Sequence, residues 1–251
     1  MNQLLVPLHL PDHEAQVWKV QLPVAAPAYA EFERTLDADE RSRAARFRFA
    51  RDRERFSIAR GLLRSLLGRY CGIEPEEIRF SYGEQGKPEL AVPAKQISFN
   101  LSHSGDMVVL AFTSCPAVGV DVERFRADLA TRQIASRFFA EEEVEALFGL
   151  SPEAQFAGFF CCWTRKEAFI KARGEGLSLS LSDFAVSLDP RKRARLVHIR
   201  GDVAAAERWK LEDIAVSSGY AAALAVEDRE CHILVRDWDT VQAAGWRPAP
   251  S

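Results

Sequence analysis

A long, mostly apolar stretch at residues 152–172 constrains the fold more than any other part of the chain. Its apolar side chains include Phe156, Phe159, Phe160, Cys161, Cys162, Trp163, Ala168, Phe169 and Ile170. They leave little room for a solvent-exposed face. This pattern predicts a buried helix that ends at Gly174 and Gly176. At a spacing of four, Glu167 and Lys171 share one face of this helix. On an exposed helix such a pair is worth only about 0.3–0.5 kcal/mol, whereas on a buried helix both charges need partners.

The sequence Gly-Val-Asp-Val-Glu at residues 119–123 has the alternation of a strand. With a period of two, Asp121 and Glu123 point the same way while the two valines point into a core. The same pattern also occurs on the solvated face of an edge strand. If this strand meets the charged face of the helix, three carboxylates and one ammonium come together. Such a site suits Mg²⁺ on a phosphorylated substrate, because Mg²⁺ takes one or two protein carboxylates and completes its octahedron with water and phosphate oxygens.

Composition limits the classes of partner. Lys and Arg number 33 against 36 Asp and Glu, and a formal charge of -3 offers no basic excess for nucleic acid. Hydrophobic residues make up 47% of the 251, which is ample for a core, and no apolar run approaches the roughly 18–20 residues of a membrane span. The start of the chain lacks the basic region of a leader. The five cysteines show no C-x-x-C spacing, which indicates neither a zinc site nor a disulfide framework. We therefore expect a cytoplasmic protein.

The other predicted elements mix helices and strands. A helical pattern covers residues 37–70, with a capping sequence at its start and Gly72 after its end. Further helical patterns lie at 129–138 and 141–147. Strand patterns lie at 78–82, 97–101, 107–112, 118–122, 184–188, 195–199, 209–216, 220–226 and 233–235. A turn at residues 102–106 is expected to join the second and third strands as a hairpin.

Segment 101–111 is echoed by segment 215–225. Each has the pattern of a strand, a serine-rich tight turn ending in Ser-Gly, and an apolar strand, and each follows a long helix. We therefore expect an α+β fold of two similar halves with a site between them. The halves are expected to divide into residues 1–116 and residues 117–251, the second carrying the charged motifs.

Three polar segments offer groups for an anionic ligand. Residues 41–55 contain seven arginines and no lysine, which a solvated helical face also explains. Lys87 lies in a Gly-Lys-Pro turn and is otherwise an ordinary loop lysine. Ser102 and His103 lie in the predicted hairpin turn, where side-chain and backbone donors suit phosphate oxygens. The alternative for His103 is a turn histidine that caps backbone groups.

Together these segments closely resemble the Sfp-type 4′-phosphopantetheinyl transferases, which arm the carrier proteins of peptide, polyketide and fatty-acid synthesis. The matching segments, in family order, are GKP at 86–88, FNLSHS at 99–104, GVDVE at 119–123, RFF at 137–139 and WTRKEAFIKARGEGL at 163–177. The last is long enough to be highly specific, whereas GKP or GVDVE alone is short. In the basic N-terminal segment the chain has arginines where the family more often has lysines.

The resemblance implies a pseudo-dimer of two α/β halves with coenzyme A bound in the cleft between them. It implies that Asp121, Glu123 and Glu167 hold Mg²⁺, with Mn²⁺ as an alternative ion, against the pyrophosphate of coenzyme A. The residues it implies for the phosphates are Lys87, Ser102, His103 and Lys171, with Arg43 and Arg55 as candidates for the 3′-phosphate.

The implied reaction is in-line attack of a carrier-protein serine on the β-phosphate of coenzyme A, releasing adenosine 3′,5′-bisphosphate. Lys171 would neutralise charge on the phosphoryl and leaving-group oxygens. Glu167 is the candidate base for the serine proton, directly or through a water. The implied partners are coenzyme A and an apo acyl- or peptidyl-carrier protein, with the enzyme as a monomer and neither nucleic acid nor membrane involved. Two alternatives stay open, which are a Mg²⁺-dependent coenzyme A pyrophosphate hydrolase and a non-catalytic module that binds coenzyme A or a carrier.

Overall fold

The computed structural model describes residues 7–83, 85–91, 97–174 and 179–238. Gly176, expected to help end the long helix, and the last residues of the WTRKEAFIKARGEGL segment lie outside these ranges. The helices are α1 (Ala26–Thr35), α2 (Ala38–Ala45), α3 (Ala50–Cys71), α4 (Arg132–Phe138), α5 (Glu141–Phe148), α6 (Pro152–Arg173) and α7 (Val203–Glu207). The strands are β1 (Glu14–Gln21), β2 (Phe80–Tyr82), β3 (Pro88–Leu90), β4 (Ser98–Ser104), β5 (Met107–Thr113), β6 (Val118–Arg124), β7 (Phe184–Val186), β8 (Leu196–Ile199), β9 (Lys210–Asp213), β10 (Tyr220–Val226) and β11 (His232–Asp237).

The two larger sheets repeat one design. In the first sheet, whose order is β11-β1-β5-β4, the hairpin β4–β5 pairs with β1. In the second, whose order is β6-β10-β9, the hairpin β9–β10 pairs with β6. A 22-residue helix precedes each hairpin, α3 in the first half and α6 in the second. This arrangement confirms the expected α+β fold of two similar halves.

The last described strand crosses between the halves. β11 follows the second sheet in the chain but pairs in parallel with β1 of the first sheet, with Glu14 opposite His232. The expected division between residues 116 and 117 falls in the connection between β5 and β6, and it stays a prediction. β11 adds an outer strand to the sheet of the first half.

Each half has its own core, and a third core lies between the sheets. In the first half, Leu62 and Leu66 of α3 pack with Leu110 of the sheet. In the second half, the apolar side of α6 packs against Ala223 and Ala225 of β10, among others. The third core joins Val17 and Val109 of the first sheet to Val120 and Leu224 of the second. The two sheets are therefore held face to face by apolar burial.

β4 and β6 meet where the two sheets adjoin, and side chains of β4 bind the backbone of β6. The side-chain oxygen of Asn100 accepts a hydrogen bond from the Val120 amide at 3.0 Å. The Ser102 and Ser104 hydroxyls accept from the amides of Val122 and Arg124 at 3.4 and 3.0 Å. Because these three residues alternate along β4, they share one face and form a side-chain ladder with β6. We call this contact the side-chain ladder.

Two sequence expectations were wrong in detail. The helical pattern at 37–70 forms two helices, because Arg46 ends α2 and Phe49 lies in extended backbone before α3. The expected turn at 102–106 is shorter: β4 continues to Ser104, which pairs with Met107. Gly105, with φ of 56°, supplies the left-handed backbone of a two-residue hairpin turn. Within the described residues, no helix combines the length and apolar character needed to cross a bilayer.

Candidate active site

Gly119 has no side chain, and this lets α6 pack directly against β6. A Cβ atom at Gly119 would lie 2.1 Å from the Ala168 carbonyl oxygen and 2.3 Å from the Ala172 amide nitrogen. Only glycine permits this approach. Since side chains alternate along a strand, Asp121 and Glu123 point to the same side as Gly119, towards α6. The strand and the helix therefore present their charged groups to each other.

Asp121 lies at the centre of the site and is only 2% exposed. Its Oδ1 accepts hydrogen bonds from the Ser102 hydroxyl at 2.9 Å and from the Lys171 ammonium at 2.6 Å. Its Oδ2 is buried and has no hydrogen-bond partner within the described part of the chain. A buried carboxylate oxygen without a partner is costly, and it is the kind of group that a bound cation satisfies.

Glu123 and Glu167 complete a cluster of three carboxylates. Burial and the charge of Asp121 raise the pKa of Glu123, whose carboxylate accepts a 2.8 Å hydrogen bond from Ser104. Burial and the charges of Asp121 and Glu123 raise the pKa of Glu167, while Lys171 lowers it. The carboxylate oxygens do not all lie within 4.8 Å of one another. Three features fit a hard divalent cation: all the donor atoms are oxygens, the three negative charges repel one another, and Oδ2 of Asp121 has no partner among the described residues.

Ser102 is placed differently from its expected role. A serine hydroxyl has one hydrogen, and here Ser102 donates it to Asp121. The same oxygen accepts from the Val122 amide and, at 3.0 Å, from the Lys171 ammonium. Ser102 thus orients the central carboxylate and the ammonium. Its contact with a phosphate oxygen stays a prediction.

His103 lies near the charges of Arg55 and Lys171. His103 is exposed on the strand face opposite Ser102, and surrounding protein atoms together with the charges of Lys171 and Arg55 lower its pKa. The Arg55 guanidinium donates to Asp106 at 2.7 Å, while its buried Nε has no hydrogen-bond partner among the described residues. This positively charged edge suits an anionic ligand.

Lys87 and Arg43, which are predicted to contact phosphate, make other contacts in the structure. The Lys87 ammonium donates to the carbonyls of Lys171, Ala172 and Val118 at 2.8, 3.2 and 3.1 Å. It thereby caps the end of α6, and burial lowers its pKa. The guanidinium of Arg43 lies 5.3 Å from the centre of the Phe56 ring. The structure does not bring these two charges to the carboxylates, and their binding to coenzyme A stays a prediction.

Sequence reasoning overlooked three residues that shape the site. Asn100 and Ser104 belong to the side-chain ladder, and Ser104 also holds Glu123. The alternation of polar residues in FNLSHS is the available signal, although the same residues also suit a donor-rich turn. Asp106 binds both Arg51 and Arg55, and no sequence pattern pointed to it.

Two family models match consecutive parts of this chain. Residues 24–115 match the model of the 4′-phosphopantetheinyl transferase N-terminal region, and residues 117–225 match that of the 4′-phosphopantetheinyl transferase superfamily. The chain is 35% identical over 221 residues to the 4′-phosphopantetheinyl transferase HetI of Nostoc sp., covering 87% of this chain and 90% of that protein. It is 36% identical over 154 residues to the 4′-phosphopantetheinyl transferase Sfp of Bacillus subtilis, covering 61% and 66% respectively.

Proposed function

The chain belongs to the 4′-phosphopantetheinyl transferase superfamily and transfers phosphopantetheine to carrier proteins, and we propose that it does so with a divalent cation at the three-carboxylate site. The donor would be coenzyme A and the acceptor a serine of an apo acyl- or peptidyl-carrier protein. The observation that carries the proposal is the 2.6 Å contact between Lys171 and Asp121, beside Glu167. It joins the two charged motifs in one site.

Asp121, Glu123 and Glu167 would hold Mg²⁺ or Mn²⁺. When bound, the cation supplies positive charge to the pyrophosphate oxygens of coenzyme A. The oxygen-only donor set favours these hard ions over softer ones. Ser102 and Ser104 would keep Asp121 and Glu123 directed at it through their hydrogen bonds.

Glu167 would accept a proton, and Lys171 would stabilise negative charge. Glu167 would remove the serine proton, directly or through a water. The serine oxygen forms a bond to the β-phosphorus as the bond to the leaving phosphate breaks. Lys171 would stabilise negative charge on the phosphoryl and leaving-group oxygens. His103 and Arg55 would bind phosphate oxygens nearby.

The proposed enzyme acts in the cytoplasm as a monomer, with no role for nucleic acid or membrane. The test is to incubate the full chain with coenzyme A, Mg²⁺ and a panel of apo carrier proteins, and to measure intact masses. We expect one carrier to gain one phosphopantetheine arm, and the gain to vanish with excess chelator.

Asp121→Asn keeps the shape of the central side chain and removes its charge. We expect this variant to lose transfer while it retains the circular dichroism of the wild type. Release of free phosphopantetheine without a carrier would favour the hydrolase alternative. Binding of coenzyme A or carrier without any mass gain would favour the non-catalytic module.

A further inference from the structure

A second group of potential metal ligands differs from the carboxylate site in that it contains sulfur. Cys115, Asp228 and Cys231 each place one ligand atom within 4.8 Å of the other two. Cys115 is 6% exposed and Cys231 is fully buried, and both are free thiols. Two buried sulfurs beside a carboxylate form a softer donor set than three carboxylates do.

Backbone contacts bring these residues together from two distant connections. Cys115 lies between β5 and β6, and Asp228 and Cys231 lie in the turn between β10 and β11. The Glu227 amide donates to the Ala117 carbonyl at 3.0 Å, which fixes that turn against the β5–β6 connection. The donor atoms are therefore held by the sheet framework.

The Asp228 carboxylate is already oriented. Its Oδ1 accepts a 2.9 Å hydrogen bond from the Glu230 amide within the turn. Its Oδ2 points to the Cys115 sulfur at 3.5 Å and to Nδ1 of His13 at 2.6 Å. His13 directly precedes β1, and its amide oxygen accepts from His232 at 2.7 Å. Nδ1 of His13 does not lie within 4.8 Å of both sulfurs, so the ring has to turn towards them before it can join the group.

The distances fit a tetrahedral ion. Zinc bonds of about 2.3 Å to sulfur and 2.0 Å to oxygen, at a tetrahedral angle, separate sulfur from oxygen by about 3.5 Å. The Cys115–Asp228 separation has this value. Two zinc-bound sulfurs lie about 3.8 Å apart, within the 4.8 Å limit of the group. The nitrogen of His13 would move from 2.6 Å to about 3.3 Å from Oδ2.

We propose that Cys115, Cys231 and Asp228 bind one Zn²⁺ ion, with His13 as the fourth ligand. Binding forms two zinc–sulfur bonds, one zinc–oxygen bond to Asp228 and one zinc–nitrogen bond to Nδ1 of His13. The two thiol protons pass to solvent. Nδ1 also loses the proton that it donates to Asp228, so that the neutral ring carries its proton on Nε2. The imidazole is 77% exposed, which provides an entry path for the ion. The ion would fasten the start of β1, the β5–β6 connection and the β10–β11 turn together, where the two halves join.

The first test measures zinc on the full chain. After dialysis against Zn²⁺ and removal of free ion, we expect about one zinc per chain and a higher melting temperature than that of the chelator-treated protein. Cobalt in place of zinc should give the near-ultraviolet absorption of a thiolate ligand. That band distinguishes this group from the carboxylate site, which has no sulfur. A chain with neither bound zinc nor the thiolate band would overturn the proposal.

Variants assign the ligands. Cys231→Ser and Asp228→Asn should each weaken zinc binding at least about 10–100-fold, while Cys71→Ser, at the end of α3, should bind as the wild type does. Asp228→Asn keeps the shape of the side chain and so tests a folded protein. Unchanged affinity in both ligand variants would refute the assignment. So would a disulfide between Cys115 and Cys231, identified by peptide mapping of the freshly purified protein.

Discussion

The Ser102 hydroxyl donates a 2.9 Å hydrogen bond to Oδ1 of Asp121, and so connects the edge strand of one sheet to the central carboxylate on the other. The same oxygen accepts a hydrogen bond from the Lys171 ammonium at 3.0 Å. One small side chain therefore orients the proposed metal ligand and the proposed electrostatic catalyst together. Deleting it should act on metal use rather than on substrate binding.

We predict that Ser102→Ala raises the Mg²⁺ concentration for half-maximal transfer by about 10–100-fold, the usual cost of losing a group that orients a metal ligand. The KM for coenzyme A at saturating Mg²⁺ should stay close to that of the wild type. Steady-state transfer assays at varied Mg²⁺ and coenzyme A measure both quantities. Ser98→Ala is the matched control, because Ser98 lies on the same strand and its hydroxyl donates to the Pro116 carbonyl, away from the carboxylates. A raised KM with unchanged Mg²⁺ dependence would show that Ser102 binds phosphate instead.

Lys171→Met should lower kcat by roughly 10²–10³, because it removes a positive charge placed for the transition state. The dissociation constant for coenzyme A should change by less than about tenfold, as calorimetry can show. Lys192→Met, which alters a lysine that is 78% exposed, serves as the control. A normal kcat with a raised KM would reduce Lys171 to a phosphate anchor.

Lys87→Met should lower the free energy of unfolding by about 1–3 kcal/mol, since three carbonyls at β6 and the end of α6 lose their shared donor. Urea denaturation followed by circular dichroism measures this change. With its ammonium on these carbonyls, we expect only a small effect on the KM for coenzyme A. A large rise in KM at unchanged stability would instead support the phosphate contact expected from the sequence.

The two candidate arginines should differ towards the 3′-phosphate. Arg55 lies close enough to His103 to lower its pKa, whereas Arg43 lies against Phe56. We predict that Arg55→Ala reduces the preference for coenzyme A over 3′-dephospho-coenzyme A by about 10–100-fold, as expected for a charged hydrogen bond. Arg43→Ala should retain the preference. Full preference in both variants would leave these arginines as surface groups.

The raised pKa of Glu167 predicts a pH-dependent cost in stability. The folded protein holds this proton above the ordinary value of 4.5, so stability falls as pH rises from there through the raised pKa. In chelator, Glu167→Gln should therefore melt higher than the wild type at about pH 8 and equally at about pH 4. Added Mg²⁺ should narrow the difference at the higher pH. Glu145→Gln, at an exposed position of α5, should show no such divergence.

The strands and helices that carry the carboxylates could be predicted because their patterns are periodic. The alternation around Asp121 predicted β6, and the apolar run around Glu167 predicted α6, within one residue at the helix end. β1 was overlooked because it is buried on both faces and so lacks a clear alternation. Its partners β5 and β11 are also distant in sequence.

The partners of individual side chains depend on contacts between segments far apart in the chain. The Lys87 ammonium donates to the carbonyls of Val118 and Lys171, which are 31 and 84 residues further along the chain. No local motif encodes such contacts. Cys115 and Cys231 meet only because β11 returns to the first sheet. A spacing rule that looks for nearby cysteines cannot find such a group.

The absence of a side chain at Gly119 also sets the distance between the charged residues of β6 and those of α6. A methyl group there would collide with Ala168 and lift α6 away, and Glu167 and Lys171 would travel with it, because both belong to one rigid helix. Catalytic groups work only within about 0.5 Å of their productive positions. The two halves, each with a core of its own, would survive such a shift better than the reaction would. An engineer seeking a folded form without transferase activity would begin at this residue.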